Sequence, residues 1–308
     1  MATHTTLSLH GAKIEVSNLD KVFYPQTGFT KGDVINYYIQ ISPWLLPHLK
    51  NRPITLKRYP NGVEGEFFYE KNCPPNRPKS MKTIRVAKSE GGEVNYCTMN
   101  DLPALVWAAN LADLELHTFL HQAPAMKRPT AVVFDLDPGL PADILTCCEV
   151  ALKLKEAFDG LGLKSLSKTS GSKGIQVYVP LNTPVVYDDT KAFAQAAAAL
   201  LERNLPELVV AKMSKDLRRG KVFVDWSQND DHKTTVAVYS LRAKDHPTVS
   251  TPVDWGEIQT AFKRKNPKLL SFGPDDVLKR VAKLGDLFAP VLKLKQKLPR
   301  PESLEGWR

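Results

Sequence analysis

The stretch that most constrains this chain is Thr130-Ala-Val-Val-Phe-Asp-Leu-Asp-Pro-Gly139, an apolar run that ends in two carboxylates spaced i, i+2 and stops at Pro-Gly. Val132, Val133 and Phe134 favour a strand, and Pro138-Gly139 favours a turn. Side chains alternate across a strand. Asp135 and Asp137 therefore project from one face about 6.5 Å apart, while Phe134 and Leu136 enter the opposite layer. Two carboxylates rooted in an apolar strand repel each other and suffer desolvation unless an opposite charge sits between them. A hard divalent cation, Mn²⁺ or Mg²⁺, answers that need and is the usual holder of substrate phosphates. The same residues could simply end a strand and open a turn, so the motif alone leaves both readings standing.

With 308 residues and 43% hydrophobic content, the chain can bury a core and form one large domain or two small ones. Its 42 Lys+Arg against 33 Asp+Glu leave a net charge of +9, which favours a polyanionic partner, nucleic acid or nucleotide first. The cysteines, Cys73, Cys97, Cys147 and Cys148, show no C-x-x-C pairing and no zinc-finger histidine spacing. Neither a disulfide framework nor structural zinc is indicated, and a reducing cytosol fits. The N-terminal residues lack a basic segment followed by an apolar one, and no run of about 18 apolar residues occurs, so a cytoplasmic protein with no membrane partner is expected.

Residues 7–17 alternate as a hairpin or edge strands. Lys21 and Lys31 then flank a loop before a helix that Thr30 or Asp33 can cap and whose apolar positions run from Val34 to Leu45. Backbone N–H groups and the helix dipole favour an anion there, although solvated lysines would need no ligand. Residues 53–59 read as a strand carrying Lys57 and Arg58, followed by the turn Asn61-Gly62. Phe67, Phe68 and Tyr69 sit beside cations, a composition suited to stacking on bases, and alternation lets one of the three face out. Residues 83–99 form a hairpin around Ser89-Glu-Gly-Gly92, Asp101 opens a helix, and Leu114–Phe119 is a strand. A lone histidine such as His117 in that strand is more often a satisfied core residue than a ligand.

After the acidic strand come a helix over 141–161, a strand over 164–168, the loop Thr169-Ser-Gly-Ser-Lys-Gly174 and a strand over 175–181. The loop glycines allow backbone N–H groups, the Ser170 and Ser172 hydroxyls and Lys173 to converge on phosphate oxygens, although ligand-free Ser/Gly hairpins are also common. It is not a Walker A loop, because G-x-x-x-x-G-K-[S/T] is absent and a strand follows. A helix over 188–204 capped by Asp188 or Asp189, a basic loop over 212–221 and a second acidic strand over 222–229 complete the pattern. If the two acidic strands are neighbours, Asp225 joins Asp135 and Asp137 in a three-carboxylate site. Residues 234–242 read as another strand ending in Arg242, a mixed helical region follows from Asp254, and residues 293–301 read as linker.

Strand-borne aspartates, a Ser/Gly/Lys loop and scattered cations describe metal-dependent nucleotidyl transfer. The chain resembles the polymerase (primase-like) domain of bacterial DNA ligase D, in the archaeo-eukaryotic primase superfamily. The resemblance runs from Asn18 to about Trp255. It rests on Asn18-x-x-Lys21 and Lys31, Arg58-Tyr-Pro-Asn-Gly62, Phe68-Tyr-Glu-Lys71, Leu114-x-Leu-His117, Phe134-Asp-Leu-Asp-Pro-Gly139, Thr169-Ser-Gly-Ser-Lys-Gly174, Arg219-Gly-Lys-Val-Phe-Val-Asp-Trp-Ser-Gln-Asn229 and Tyr239-Ser-Leu-Arg242. It implies an α+β primase-polymerase fold, with mixed and antiparallel sheets flanked by helices over 1–290 and a basic tail over 291–308. It also implies an enzyme of non-homologous end joining that fills gaps and extends 3′ ends, preferring ribonucleotides and Mn²⁺.

On that resemblance Asp135, Asp137 and Asp225 are catalytic and hold metal. Ser170, Ser172, Lys173, Gln176, Gln228, Arg242, Lys57 and His117 bind a nucleoside triphosphate, NTP or dNTP. Asn18, Lys21 and Lys31 grip the 5′-phosphate downstream of a gap, and Phe68 and Tyr69 stack on bases. The loops at Gly91 and at Arg218 and Arg219 bridge the two DNA ends. Implied partners are gapped duplex or DNA ends, a Ku-like end-binding protein and a DNA ligase. Family members commonly place a histidine where this chain has Gln176. On alternation Gln176 shares a face with Tyr178 and points toward Lys173, where an amide can donate a neutral hydrogen bond to phosphate. The Lys-x-Asp-Gly nucleophile motif of a ligase is absent. A primer-independent primase and a non-catalytic end-binding module are the alternatives.

Overall fold

The computed structural model describes all residues except 1–3, 10, 88–90, 305, 307 and 308. They form two compact units: one of Met1–Pro124, Thr234–Ser250 and Phe272–Gly285, the other of Ala125–Lys233, Thr251–Ser271 and Asp286–Arg308. Among the described residues no helix is long and apolar enough to cross a membrane.

The second unit is built on the acidic strand, Ala131–Pro138. Alternation sorts its side chains: Val132, Phe134 and Leu136 are fully buried, whereas Asp135 is half-buried and Asp137 exposed. Ile175–Pro180 pairs antiparallel on one side of it and Val222–Asp225 antiparallel on the other. Leu166–Thr169 and Pro252–Val253 extend the sheet beyond the first, and Val209–Val210 adds a parallel strand beyond the second, so the sheet is mixed. The helices Ile144–Gly160 and Tyr187–Asn204 pack on the acidic strand, with Phe134 against Phe158 (ring centroids 5.3 Å apart) and Phe158 against Phe193 (6.3 Å). Full burial of each such ring stabilises the unit by about 1.5–3 kcal/mol. This apolar layer fixes the strand that carries the carboxylates.

The first unit holds an antiparallel sheet in the order Thr235–Val236, Asp113–Thr118, Ile54–Arg58, Glu93–Cys97 and Thr83–Ala87, with Phe68–Glu70 paired to Ile54–Arg58. The N-terminal hairpin forms as His4–Leu9 with Ala12–Ser17. Thr30 caps the helix Lys31–Leu49, accepting from the Asp33 N–H while Asp33 accepts from the Thr30 N–H. Asp101 caps Leu102–Asn110 in the same manner on one side.

Several expectations are corrected. The second acidic strand stops at Asp225 rather than at 229, because Asp225 caps a 3₁₀ turn over Trp226–Gln228. The buried Asn229 amide then takes over the ladder, accepting from Val133 N (2.9 Å) and donating to Val133 O (2.7 Å). Residues 234–242 are two short strands, Thr235–Val236 and Leu241–Arg242, separated by a turn with Tyr239 at φ +64°. Buried tyrosine hydroxyls replace the lost pairing: Tyr37 donates to Tyr239 O (2.8 Å) and Tyr38 accepts from Leu241 N (3.2 Å). The helix expected from 141 begins at Ile144, with Asp143 as its cap. The later helix begins at Tyr187 after an uncapped Val186, leaving Asp188 and Asp189 in its first turn.

The segment expected as a linker is tied down. Gln296 donates to Lys164 O and Pro180 O, accepts from Lys164 N and hydrogen-bonds Leu181 O through its own N–H, while Leu304 is buried. Cys73 and Cys97 form a disulfide that spans 24 residues, against the expectation of none, because Cys73 N–H docks on Asn95 O (2.7 Å) beside the strand carrying Cys97. Cys147 and Cys148 are free and buried. Residues 88–90 of the Gly-Gly hairpin tip lie outside the described residues.

Close approach makes Gly174 indispensable. A Cβ on Gly174 would lie 1.9 Å from Leu136 O in the acidic strand, whereas one on Gly160 meets nothing within 4 Å. Gly174→Ala should therefore destabilise the protein by about 3 kcal/mol or more in urea unfolding. Gly160→Ala should be neutral or stabilising by up to about 1 kcal/mol. Equal stability of the two variants would contradict the packing described here.

Candidate active site

Register aligns four polar side chains across four adjacent strands. Asp135 lies opposite Asp225 on one neighbour and opposite Gln176 on the other, and Gln176 lies opposite Lys168. Directly paired residues in such a ladder have Cβ atoms about 4.5–5.5 Å apart, so Lys168, Gln176, Asp135 and Asp225 form one continuous row. Gln176 hydrogen-bonds the Asp135 carboxylate, and the Tyr178 hydroxyl donates to Gln176 Oε1 (3.5 Å). On the far side Asp225 Oδ1 accepts from Ser227 N (2.9 Å) and Ser227 Oγ (2.6 Å), and its Oδ2 accepts from Gln228 Nε2 (2.9 Å). The second acidic strand thus presents its carboxylate already oriented.

Asp135 is electrostatically the odd member. Its Oδ1 is buried with no hydrogen-bond partner. Burial first, then the neighbouring Asp137 and Asp225 charges, push its carboxyl up to about 7, against the opposing pull of Gln176 and Lys168. An unpartnered carboxylate oxygen among like charges is what a bound cation would resolve, and the donor set of three carboxylates suits Mn²⁺ or Mg²⁺. Lys168 was missed at the sequence level. It is fully buried, and the only signal for it was a cation on a short strand ahead of the Ser/Gly loop.

The loop at 169–174 closes partly on itself. Ser170 N donates to Gly174 O (2.9 Å), and Ser170 Oγ accepts from Ser172 N (3.2 Å) and Gly174 N (3.1 Å). Two N–H groups expected to face a phosphate therefore face Ser170, while Ser172 and Lys173 are exposed. Gln176, expected beside Lys173, is 2% exposed and bonded within the sheet to Asp135. Arg218 stacks on Phe223 (3.7 Å from guanidinium carbon to ring centroid) and donates to Met213 O, whereas Arg219 is exposed. A further carboxylate cluster, Asp230 and Asp231 with His232, is already met by cations: Lys191 pairs with Asp230 (2.7 Å) and Lys127 with Asp231.

The first unit gathers Lys57, His117 and Arg242 around a carboxylate that sequence reading missed, Glu115, which lies opposite Lys57 in register. Lys57 Nζ, His117 Nε2 and Arg242 Nε lie 3.2, 3.1 and 3.3 Å from Glu115 Oε2. Burial alone would raise the Glu115 carboxyl, but His117, Arg242 and Lys57 hold it well below the usual carboxylate range; burial also lowers His117, more than Glu115 raises it. Phe67, Phe68 and Tyr69 are 50%, 44% and 56% exposed, so all three face out, not one; Phe68–Glu70 is a three-residue strand paired, among the described residues, to Ile54–Arg58 alone. The signal for Glu115 was available in kind: like Asp135, it is a carboxylate set between two apolar strand residues, here Leu114 and Leu116.

Also in the first unit, Lys21 Nζ donates to Pro60 O (2.6 Å) and to Asn61 Oδ1 (3.1 Å), which joins the Asn18-x-x-Lys21 and Arg58–Gly62 motifs. Asn18 adopts φ +54°, the Lys21 N–H donates to Asn18 O, and the Lys31 N–H donates to Lys21 O (2.8 Å). Lys31 is 6% exposed and forms no ion pair among the described residues. Burial first, then the Lys21 charge, lowers its ammonium to about 8.

Because the Asp135 carboxyl is raised in the folded state, the metal-free fold retains a proton that the unfolded chain releases. The stability from this group is fully present below the ordinary carboxylate range and is lost as pH rises to about 7. Asp135→Asn, which cannot ionise, should gain on the wild type between about pH 4 and 7, by up to about 1.4 kcal/mol per pH unit. Urea unfolding in chelator across that range tests this, and a stability difference independent of pH would contradict it.

The family described as LigD, primase-polymerase domain, matches residues 30–288. The multifunctional non-homologous end joining protein LigD of Mycolicibacterium smegmatis is 40% identical over 297 residues, which cover 94% of this chain and 38% of that protein. The bifunctional non-homologous end joining protein LigD of Bacillus subtilis is 34% identical over 274 residues, covering 89% and 43%. The chain thus spans less than half the length of these curated relatives. Among solved structures, the polymerase domain from Mycobacterium tuberculosis ligase D in complex with DNA superposes with a TM-score of 0.85 at 38% identity, covering 92% of this chain and 99% of that one. With a family match over most of its length and the same mixed α/β architecture, the chain belongs to the LigD primase-polymerase family.

Proposed function

We propose that this chain is a DNA-end-directed nucleotidyltransferase of non-homologous end joining, which fills gaps and extends 3′ ends. The observation that carries the reading is the row Gln176–Asp135–Asp225, with a buried Asp135 oxygen lacking any protein partner beside Asp137. When bound by Asp135, Asp137 and Asp225, Mn²⁺ or Mg²⁺ supplies Lewis-acid activation of a 3′-hydroxyl and neutralises charge on departing pyrophosphate. Gln176 fixes one Asp135 oxygen and leaves the other for the cation. Ser227 and Gln228 orient Asp225 from its own 3₁₀ turn, donating to both of its oxygens. In the transfer itself the 3′-oxygen bonds to the α-phosphorus as the bond to pyrophosphate breaks, so these residues act by holding charge in place rather than by covalent chemistry.

Nucleotide contacts by Ser170, Ser172, Lys173 and Gln228, and by Lys57, His117 and Arg242, are carried over from the family resemblance. Base stacking by Phe68 and Tyr69 is supported by their exposure, and by Arg58 over the Phe68 ring (5.1 Å). Asn18, Lys21 and Lys31 grip the downstream 5′-phosphate. The buried Lys31 ammonium, with no carboxylate partner among the described residues and its proton affinity already lowered, is stabilised by an incoming dianion. Ribonucleotide and Mn²⁺ preference, end bridging by the loops at Gly91 and at Arg218 and Arg219, and work alongside a Ku-like protein and a DNA ligase complete the reading. The mycobacterial relative solved in complex with DNA supports DNA as the partner.

The test is extension of a gapped duplex bearing a downstream 5′-phosphate with one labelled ribonucleotide and Mn²⁺. Wild-type protein should extend the primer, and Asp135→Ala and Asp225→Ala should abolish extension while leaving DNA binding nearly intact. Removing the 5′-phosphate should weaken binding, and the Lys21→Ala, Lys31→Ala double variant should lose that discrimination with about two units of salt slope. Wild-type extension by either aspartate variant would overturn the metal assignment. Equal affinity for phosphorylated and dephosphorylated gaps would overturn the phosphate site.

A further inference from the structure

Glu115 has no part in the function proposed above, yet it is 1% exposed and fully used. Its Oε1 accepts from Ala243 N (3.0 Å) and from the Tyr59 hydroxyl (3.5 Å). Its Oε2 faces Lys57 Nζ (3.2 Å), His117 Nε2 (3.1 Å) and Arg242 Nε (3.3 Å). One carboxylate therefore organises side chains from three strands, Ile54–Arg58, Asp113–Thr118 and Leu241–Arg242.

Two cations and an imidazole converge on the one oxygen Glu115 Oε2 in a largely buried place, a setting electrostatically suited to receiving an anion beside them. Lys57 is also held from its other side. Its ammonium lies 4.6 Å from the Phe67 ring centroid, 5.3 Å from Tyr59 and 5.8 Å from Tyr69. Phe67 and Tyr69 are themselves about half exposed, so this side of the cluster faces solvent. A cation pinned between a carboxylate and rings has little rotamer freedom left to lose when a ligand arrives.

We propose that Glu115 is a positioning residue that holds Lys57, His117 and Arg242 in one geometry to receive the polyphosphate of a nucleotide. The proposal rests on the reading that those three residues contact the nucleotide. Glu115 touches no substrate in it and acts only through the side chains it orients.

The test is a binding cycle on the full chain with Mg²⁺, a fluorescent nucleoside triphosphate carrying a methylene α,β-bridge as probe, and thermal unfolding recorded in parallel. Lys57→Met and Arg242→Met should each weaken binding about tenfold, as loss of one charge-assisted contact does. Glu115→Asp keeps the charge but withdraws the carboxylate by one methylene, and should also weaken nucleotide binding about tenfold while gapped-duplex affinity stays unchanged. In the Glu115→Asp background the penalty of Lys57→Met should shrink to less than about twofold, because the ammonium is already misplaced. Glu115→Gln is the second variant, with the same expectation from loss of charge at constant size. An unchanged tenfold penalty for Lys57→Met in both backgrounds would overturn the proposal, as would Glu115 variants that lower the melting temperature with wild-type nucleotide affinity. If Lys57→Met and Arg242→Met in the wild-type background leave affinity unchanged, the underlying nucleotide assignment fails instead.

Discussion

The structure of the second unit depends on one unfavourable placement, the Asp135 carboxylate rooted in the apolar strand Ala131–Pro138 with Asp137 two residues on and Asp225 directly across. No amount of apolar packing relieves like charges there, and the surrounding residues can be read as responses to it. Gln176 satisfies one oxygen, Lys168 supplies a buried positive charge at the end of the row, and Asp225 is tethered by its own turn. The opposite face of the same strand, Phe134 and Leu136 against two helices, supplies the packing that keeps this arrangement in place. Within this row of carboxylates Asp135 Oδ1 is left with no hydrogen-bond partner among the described residues, and there the proposed cation would bind.

The first unit uses the inverse arrangement. There a buried carboxylate, Glu115, stands among Lys57, His117 and Arg242. Lys31 is likewise buried, and among the described residues it forms no ion pair.

Local signals carried much of this in the sequence. The i, i+2 aspartates before Pro-Gly, the Thr30/Asp33 cap and the alternation of 175–180 depend on neighbours within a few residues, and each appears where the pattern put it. The elements that were misread depend on partners far along the chain. Strand 222–229 was cut short because Asn229 can mimic a strand edge for Val133, 96 residues away, and strand 234–242 was broken because Tyr37 and Tyr38 reach its backbone across more than 200 residues. Gln296 anchors a segment that composition alone reads as linker, and the Cys73–Cys97 bond needs a docked loop that no spacing rule encodes. Glu115 gathers Lys57, His117 and Arg242, of which Lys57 and Arg242 lie 58 and 127 residues from it along the chain, so local pattern marks the histidine but not the carboxylate that holds it.

The central claim, that the row of carboxylates in the second unit exists to hold a divalent cation, is tested most directly by electron paramagnetic resonance of Mn²⁺ titrated into metal-free protein with a nucleoside triphosphate and gapped duplex present. The account predicts a bound Mn²⁺ signal at a saturable site in the wild type, lost in Asp135→Asn and in Asp225→Asn, with both variants still folded by circular dichroism. Equal Mn²⁺ binding by the wild type and the two variants would contradict it.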